Sequence, residues 1–535
     1  MGKGNLETVL DETWKEKTSK RLIPLKRPTF DLVSDTAYIN IFSKKIGINP
    51  SFLDGLNNKG VGYKHSLDAI IEHEIGHYFV MPHSLTIHLL EILALKDMVN
   101  QKGGDPKVRD SIINYFNDIA VNVNIIMQGN ESSNNLSLIY KNMEDKNTEL
   151  GKLLRAYYHS FAKNIDFGAD FNDLDNYLKE KFDRLMSINF RPKNNVEITS
   201  NIIAFRHIIE GILDINYAPS CQGEYSSIVN ASEEEKKKAL RELVDILTPD
   251  DYIYAYKILN ESGAKGSNAH NSSSGYSHEG GYVDTRKPDA ALVDYYRNKA
   301  LQYPVRIIGT PLANKETQKA RLSEWNPSDG VRKMNPLRSG GKIIPGVTKR
   351  WVEDNYYTYG QKRKIPDSII VIDSSGSMVE VSSGYSYAAI AAVSAAIQYM
   401  ENGSKVDVIN FSNTACVTKY ENPNKVLEAI LEYQGDSTNF PSKEVKQLLE
   451  EDKDRDLIII TDGIVDYGHI TSFLDMVNIV NENGKKNRNS FIYISSGSSS
   501  PVSKLTNKYN NIRFHIVKDE ESIPDLVLGD TSYEA

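Results

Sequence analysis

The stretch that most constrains this chain is residues 369–378, I-I-V-I-D-S-S-G-S-M. Four β-branched apolar residues in a row read as a strand buried on both faces, as in a parallel sheet. They run into Asp373, Ser375 and Ser377, spaced i, i+2, i+4, with Gly376 easing a tight turn. A carboxylate and two hydroxyls on alternate residues of a strand-end loop can converge on one hard cation.

From residue 366 onward, strands alternate with helices. Strands are expected at 368–372, 405–411, 456–460, 491–495 and 512–517, with an antiparallel edge strand at 414–419. Helices are expected at 385–400, 426–433, 442–451 and from 470 to 481. This is the pattern of an α/β, doubly wound parallel sheet, whose ligands bind outside the carboxyl ends of the strands. Two more loops end there: G-D-S-T-N brings Thr438, and T-D-G, directly after the strand at 456–460, brings Asp462. Two carboxylates, three hydroxyls and water form an octahedral, all-oxygen set suited to Mg²⁺ or Mn²⁺. With so few protein charges the metal keeps an open position, which a carboxylate from a partner protein can fill. Ser375 is not read as a hydrolase nucleophile, because no G-x-S-x-G elbow surrounds it.

D-x-S-x-S after such a strand, with the threonine and aspartate in two later loops, closely resembles the metal-ion-dependent adhesion site of von Willebrand factor A (VWA) domains. The resemblance implies a Rossmann-like VWA domain over 366–535 that docks an acidic residue through Mg²⁺.

A second chemical signal lies near the other end. Short strands are read at 36–42 and 45–48, then a helix at 66–80 with Leu67, Ile70, Ile71, Ile75 and Tyr78 at amphipathic spacing. On it sits His73-Glu74-Ile75-Gly76-His77, an H-E-x-x-H sequence. Residues i and i+4 stack on a helix, so His73 and His77 can hold one Zn²⁺. Glu74, rotated about 100° from His73, is placed to act as general base.

A catalytic zinc normally takes a third protein ligand, and His83 and Asp118 are both open. His83 falls six residues after His77, but Val80 stands where that spacing pattern has glycine. Asp118 lies on a helix opened by Asp105 as N-cap and Pro106 at the first position. That helix has an apolar face (Ile112, Ile113, Phe116, Ile119, Val123) and a polar stripe of Asn114, Asp118 and Asn122. Asparagines one turn either side can orient the aspartate, although a solvated helix face reads the same way. His207 with Glu210, and His270 and His278, are more distant metal candidates, read more simply as surface or linker residues.

H-E-I-G-H-Y-F, followed about 40 residues later by N-x-x-N-D-x-x-x-N, resembles the metallopeptidase-like domain fused to VWA-like domains in bacteria and archaea. The resemblance implies a mostly helical, zincin-like α+β domain over 1–260, a connecting segment over 286–365, and pairing with a MoxR-type AAA+ ATPase. Between these, 149–259 reads as helices, and 261–285 as a flexible linker or loop of glycine, serine and asparagine.

A chain of 535 residues is too long for one core. A net charge of −8 argues against general binding of nucleic acid or anionic membrane. Cys221 and Cys416 form no disulfide framework, which points to a reducing, cytoplasmic setting. No stretch approaches the roughly 18 apolar residues of a membrane span. The expected function is a metal-dependent protein-binding adaptor, working with a MoxR-type ATPase and its substrate, whose zincin-like domain cuts or holds the target. The alternative is an active zinc-dependent peptidase whose VWA domain recruits substrate.

Overall fold

The computed structural model describes residues 3–19, 24–32, 34–100, 105–213, 228, 231–261, 288–325, 334–335, 348–452, 454–464, 470–483, 488–494, 509 and 511–529. The chain is mixed helix and sheet and divides into two compact units, Met1–His278 and Glu279–Ala535.

The first unit begins with α1 (Lys3–Ser19) and a small sheet of β1 (Thr29–Phe30), β2 (Ala37–Asn40) and β3 (Lys45–Ile48). The middle strand, β3, is parallel to β1 and antiparallel to β2. Helices follow: α2 (Pro50–Asn58), α3 (Tyr63–Phe79), α4 (Leu85–Ala94), α5 (Lys96–Asn100), α6 (Pro106–Gln128) and α7 (Glu131–Asn142). Then come α8 (Glu149–Phe161), α9 (Asn176–Met186), α10 (Asn195–Ile209), α11 (Glu233–Leu243) and α12 (Pro249–Glu261).

The unit is built around α3, which touches α1, α2, α6, α7 and β2. The sequence predicts an amphipathic helix with a solvated face. Instead Glu72, Glu74, Gly76 and His77 are buried together with Leu67, Ile71 and Ile75. So many neighbours leave little wet surface, and polar groups on those sides are paired: Lys17 of α1 reaches Asp68 at 2.7 Å and Glu72 at 3.1 Å. The start of α6 follows its sequence, with the Asp105 side chain accepting from the Lys107 N–H at 2.9 Å and Pro106 in the first turn. At Gly76 the two helices approach so closely that a Cβ there would lie 2.4 Å from Val121 Cγ1. That contact sets the turns of α6 bearing Asp118 and Asn122 against α3.

The second unit holds α13 (Ala290–Ala300), β4 (Arg306–Ile308), β5 (Thr310–Glu324), β6 (Met334–Asn335), β7 (Lys349–Lys364), β8 (Ser368–Asp373), α14 (Tyr387–Glu401), β9 (Val406–Phe411) and β10 (Ala415–Thr418). It continues with α15 (Pro423–Ile430), α16 (Ser442–Glu451), β11 (Asp456–Thr461), α17 (Ile470–Asn483), β12 (Asn489–Ile494), β13 (Ile512–Val517) and β14 (Val527–Gly529). The main sheet has the order β10-β9-β8-β11-β12-β13, parallel except for the antiparallel edge strand β10.

Every residue of β8 and β11 is buried, as continuous apolar runs require in a sheet covered on both faces. Alternate residues face opposite ways: Ile369 and Val371 join Leu457, Ile459, Leu448 and Phe473 in one core under α16 and α17. Ile370 and Ile372 turn to the other face, where the alanine-rich α14 packs on β8, β9 and β11. The chain leaves β8 toward β9 on one side and returns to β11 on the other, so the winding switches between β8 and β11.

The segment 286–365, read as a connection, carries elements of its own. Besides α13 it holds β4, parallel to β14, and the long antiparallel pair β5 and β7, with β6 beside β7. The Lys, Glu, Gln and Asn of β5 are poor strand formers with no alternation, so pairing, not propensity, makes the strand. The expected linker at 261–285 lies outside the described residues apart from Glu261. Among the described residues, no helix is long and apolar enough to cross a membrane.

Candidate metal centres

At the carboxyl ends of β8 and β11, backbone and side-chain bonds knit the loops together. Asp373 Oδ1 accepts from the Ser375 N–H at 3.0 Å, and its Oδ2 accepts from Thr461 Oγ1 at 2.7 Å. The Ser375 and Ser377 hydroxyls lie 3.3 Å apart. Asp462 Oδ1 accepts from the Ile464 N–H at 2.9 Å, while its Oδ2 is buried and accepts no hydrogen bond of normal geometry. The loop after α15 is stitched to the first: Gly435 N–H donates to Ser374 O at 2.9 Å, and Gly376 N–H to Asp436 O at 2.8 Å. Thr438 is buried two residues further on. Asn410 at the end of β9 accepts from both Ser374 Oγ (2.6 Å) and Gln434 Nε2 (2.9 Å), bracing both loops.

The electrostatics of this cluster are unfavourable for bare protein. Burial pushes the Asp373 carboxyl up to about 6; bonds from Ser375 and Thr461 oppose this, and the Asp462 charge adds to it. Burial likewise raises Asp462, with the Ile464 N–H and the Ser377 hydroxyl acting against it. Two buried carboxylates beside the hydroxyls of Ser375, Ser377 and Thr461, one carboxylate oxygen lacking a donor, suit a hard divalent cation.

The first unit gathers a nitrogen and oxygen cluster. His73 Nε2 and His77 Nε2 are 3.0 Å apart, and Asp118 Oδ1 lies 3.3 Å and 3.2 Å from them. The outer ring nitrogens are held from behind. His77 Nδ1 is 2.7 Å from Met81 O, and His73 Nδ1 is 2.8 Å from Asn122 Oδ1, whose amide donates to Tyr140 and Tyr158 hydroxyls. A carbonyl oxygen can only accept, so the protons sit on Nδ1 and the Nε2 lone pairs turn toward Asp118. Three acceptor atoms meeting at one point is an arrangement that one divalent cation satisfies and a single proton does not.

His73, His77, Asp118 and Asn122 line a cavity of about 160 Å³, together with Glu74 and apolar groups such as Ile39, Phe42 and Ile139. Burial raises the Glu74 carboxyl, against the pull of His73 and His77.

Of the two third-ligand candidates, Asp118 meets the histidines. His83 is exposed, its Nδ1 3.3 Å from Val80 O. A solvated stripe on α6 is not what forms: Asn122 is fully buried, and Asn114 points its amide at Asp118 over 3.4 Å. His207 and Glu210 pair at 3.7 Å with both side chains exposed, and His270 and His278 lie outside the described residues. Three groups escaped the sequence reading. Thr461 is the hydroxyl linking the first and third loops; Tyr140 and Tyr158 buttress Asn122 from other helices. The threonine directly before T-D-G's aspartate was the one available signal.

No protein-family model matches the chain, and no curated protein matches it. Among solved structures it is similar to a von Willebrand factor type A protein from Catenulispora acidiphila, at 15% identity and a TM-score of 0.25. That likeness covers 30% of this chain and 41% of the other, well under half of that protein's length. It is also similar to the RO (RSR) protein of Deinococcus radiodurans, at 11% identity and a TM-score of 0.20, over 87% of this chain and 90% of that one. Superpositions this loose carry no assignment of fold or activity.

Proposed function

We propose that the chain is a VWA-like, metal-dependent protein-binding adaptor. In this reading Asp373, Ser375, Ser377, Thr438 and Asp462 hold Mg²⁺ or Mn²⁺, which supplies the positive charge that docks an acidic side chain of a partner. A MoxR-type AAA+ ATPase and its substrate are the proposed partners, from the motif resemblance. The observation that supports it best is the pair of buried carboxylates at the sheet's switch point, both pushed up and one with a donorless oxygen. The test is a pull-down with the MoxR-type ATPase. Asp373→Ala and EDTA should each abolish capture while the circular dichroism spectrum stays native; capture that survives both would refute docking through metal.

A second reading is supported by its own observation, the three converging atoms of His73, His77 and Asp118 beside Glu74. Here the Met1–His278 unit is a zincin-like zinc peptidase. Zinc would supply Lewis-acid chemistry. Asn122 and Met81 O fix the imidazoles, and buried Glu74 holds the proton at its carboxylate. Zinc content by elemental analysis, and peptide cleavage lost in Glu74→Gln with zinc retained, test it; zinc-free purified protein would dispose of it.

A further inference from the structure

The cavity of about 160 Å³ beside His73, His77 and Asp118 has walls of two kinds. Its acids, Glu74 and Asp118, are those already placed at the candidate metal centre, and among its described lining residues there is no Lys or Arg. Much of the remaining wall is hydrocarbon: Ile39 of β2, Phe42 just after it, Phe52 of α2, Ile70 of α3 and Ile139 of α7. An apolar cavity of roughly 150 Å³ accepts a benzene-sized ring. Interiors close such spaces where nothing has to enter, because a void forfeits packing contacts. Here they stay apart, and Phe42 and Phe52 remain half-buried beside the cavity.

Residue 69 decides how much room there is. Ala69 stands one turn before His73 on α3, so its methyl shares a helix face with both imidazoles. It is 0% exposed and lines the cavity, where a longer side chain would take up the space. We infer that the cavity is a side-chain pocket for a bulky, uncharged apolar residue of a peptide, seated beside the scissile carbonyl, and that Ala69 is the specificity-determining residue that leaves room for it. The lining sets this class. An anionic side chain would be desolvated with no cation to receive it, and an ammonium or guanidinium would meet the same hydrocarbon. An aromatic or branched aliphatic group loses nothing there and gains by leaving water. The inference rests on the zinc-peptidase reading of the triad, and adds to it the kind of residue the peptide presents.

The test uses the full-length chain loaded with Zn²⁺, its zinc content measured first by elemental analysis. Three metal-directed probes are then compared by calorimetry: acetohydroxamic acid, 3-phenylpropanohydroxamic acid and the monohydroxamate of succinic acid, which carries a carboxylate. The wild type should bind the phenyl probe roughly 10- to 100-fold more tightly than acetohydroxamic acid, the worth of burying one aromatic side chain. The carboxylate probe should bind no more tightly than acetohydroxamic acid. Ala69→Leu should keep zinc and acetohydroxamic acid affinity at the wild-type level and lose most of the preference for the phenyl probe. A merely structural role for Ala69 would move the Tm of that variant and leave the preference intact. No phenyl preference in the wild type, tighter binding of the carboxylate probe, or a full phenyl preference in Ala69→Leu would each overturn the inference. If Ala69→Leu fails to fold, the order of the three probes on the wild type decides. Zinc-loaded protein without selectivity overturns this inference and leaves the reading of the triad standing, whereas a wild type that takes up no zinc overturns both.

Discussion

Asp373 makes the metal-free chain oppose its own folding at neutral pH. Its carboxyl is raised to about 6 in the folded state from an ordinary value of 3.8. Between those values the folded chain keeps a proton that the unfolded chain has lost, so stability falls as pH rises through that window and stays low above it. A shift of this size corresponds to roughly 3 kcal/mol. In EDTA, therefore, thermal stability should drop between pH 4 and pH 6 by more in the wild type than in Asp373→Asn. At pH 7.5 the asparagine variant should be more stable by about 1–3 kcal/mol. Added Mg²⁺ should raise the wild-type Tm and leave that of the variant unchanged; an equal Mg²⁺ response in both would show that the ion sits elsewhere.

At the level of elements, the contact of α3 with α6 decides whether His73, His77 and Asp118 meet. A methyl group on Gly76 would sit 2.4 Å from Val121 Cγ1, far inside contact distance. Gly76→Ala should cost about 1–3 kcal/mol through overpacking, despite the better helix propensity of alanine. It should also weaken zinc binding, because Asp118 and Asn122 move back with α6. Val121→Ala in the same chain should recover part of both losses, measured as a coupling in denaturant titrations and zinc competition assays. If Gly76→Ala bound zinc as the wild type does, the close approach would be packing without consequence for the site.

At the scale of the molecule, the two clusters belong to different compact units, Met1–His278 and Glu279–Ala535. Sites that act independently behave additively. A His73→Ala, His77→Ala chain should lose its zinc by elemental analysis and keep its Mg²⁺-dependent rise in Tm. Asp373→Ala should do the reverse, keeping zinc and losing the Mg²⁺ response. Loss of both metals from either variant would mean that one unit cannot fold without the other.

The order of strands and helices from β8 to β13, and the loops that carry Asp373, Ser375, Ser377, Thr438 and Asp462, were legible in sequence because they follow from local rules. A fully buried strand needs an unbroken apolar run, and D-S-S-G-S or T-D-G is a short segment whose turn and hydroxyls act within a few residues. His73 and His77 were legible for the same reason, since helical geometry fixes i and i+4. The remainder depended on neighbours far along the chain. Asp118 over His83, the buttress of Tyr140 and Tyr158, Thr461 across to Asp373, and the strand pairing of β5 with β7 are contacts between segments tens of residues apart. Such contacts form only when packing brings the segments together, and no local propensity encodes which partner arrives. The chain alone determined which side chains could bind metal; the close passage of α3 past α6, and the switch between β8 and β11, decided which of them meet.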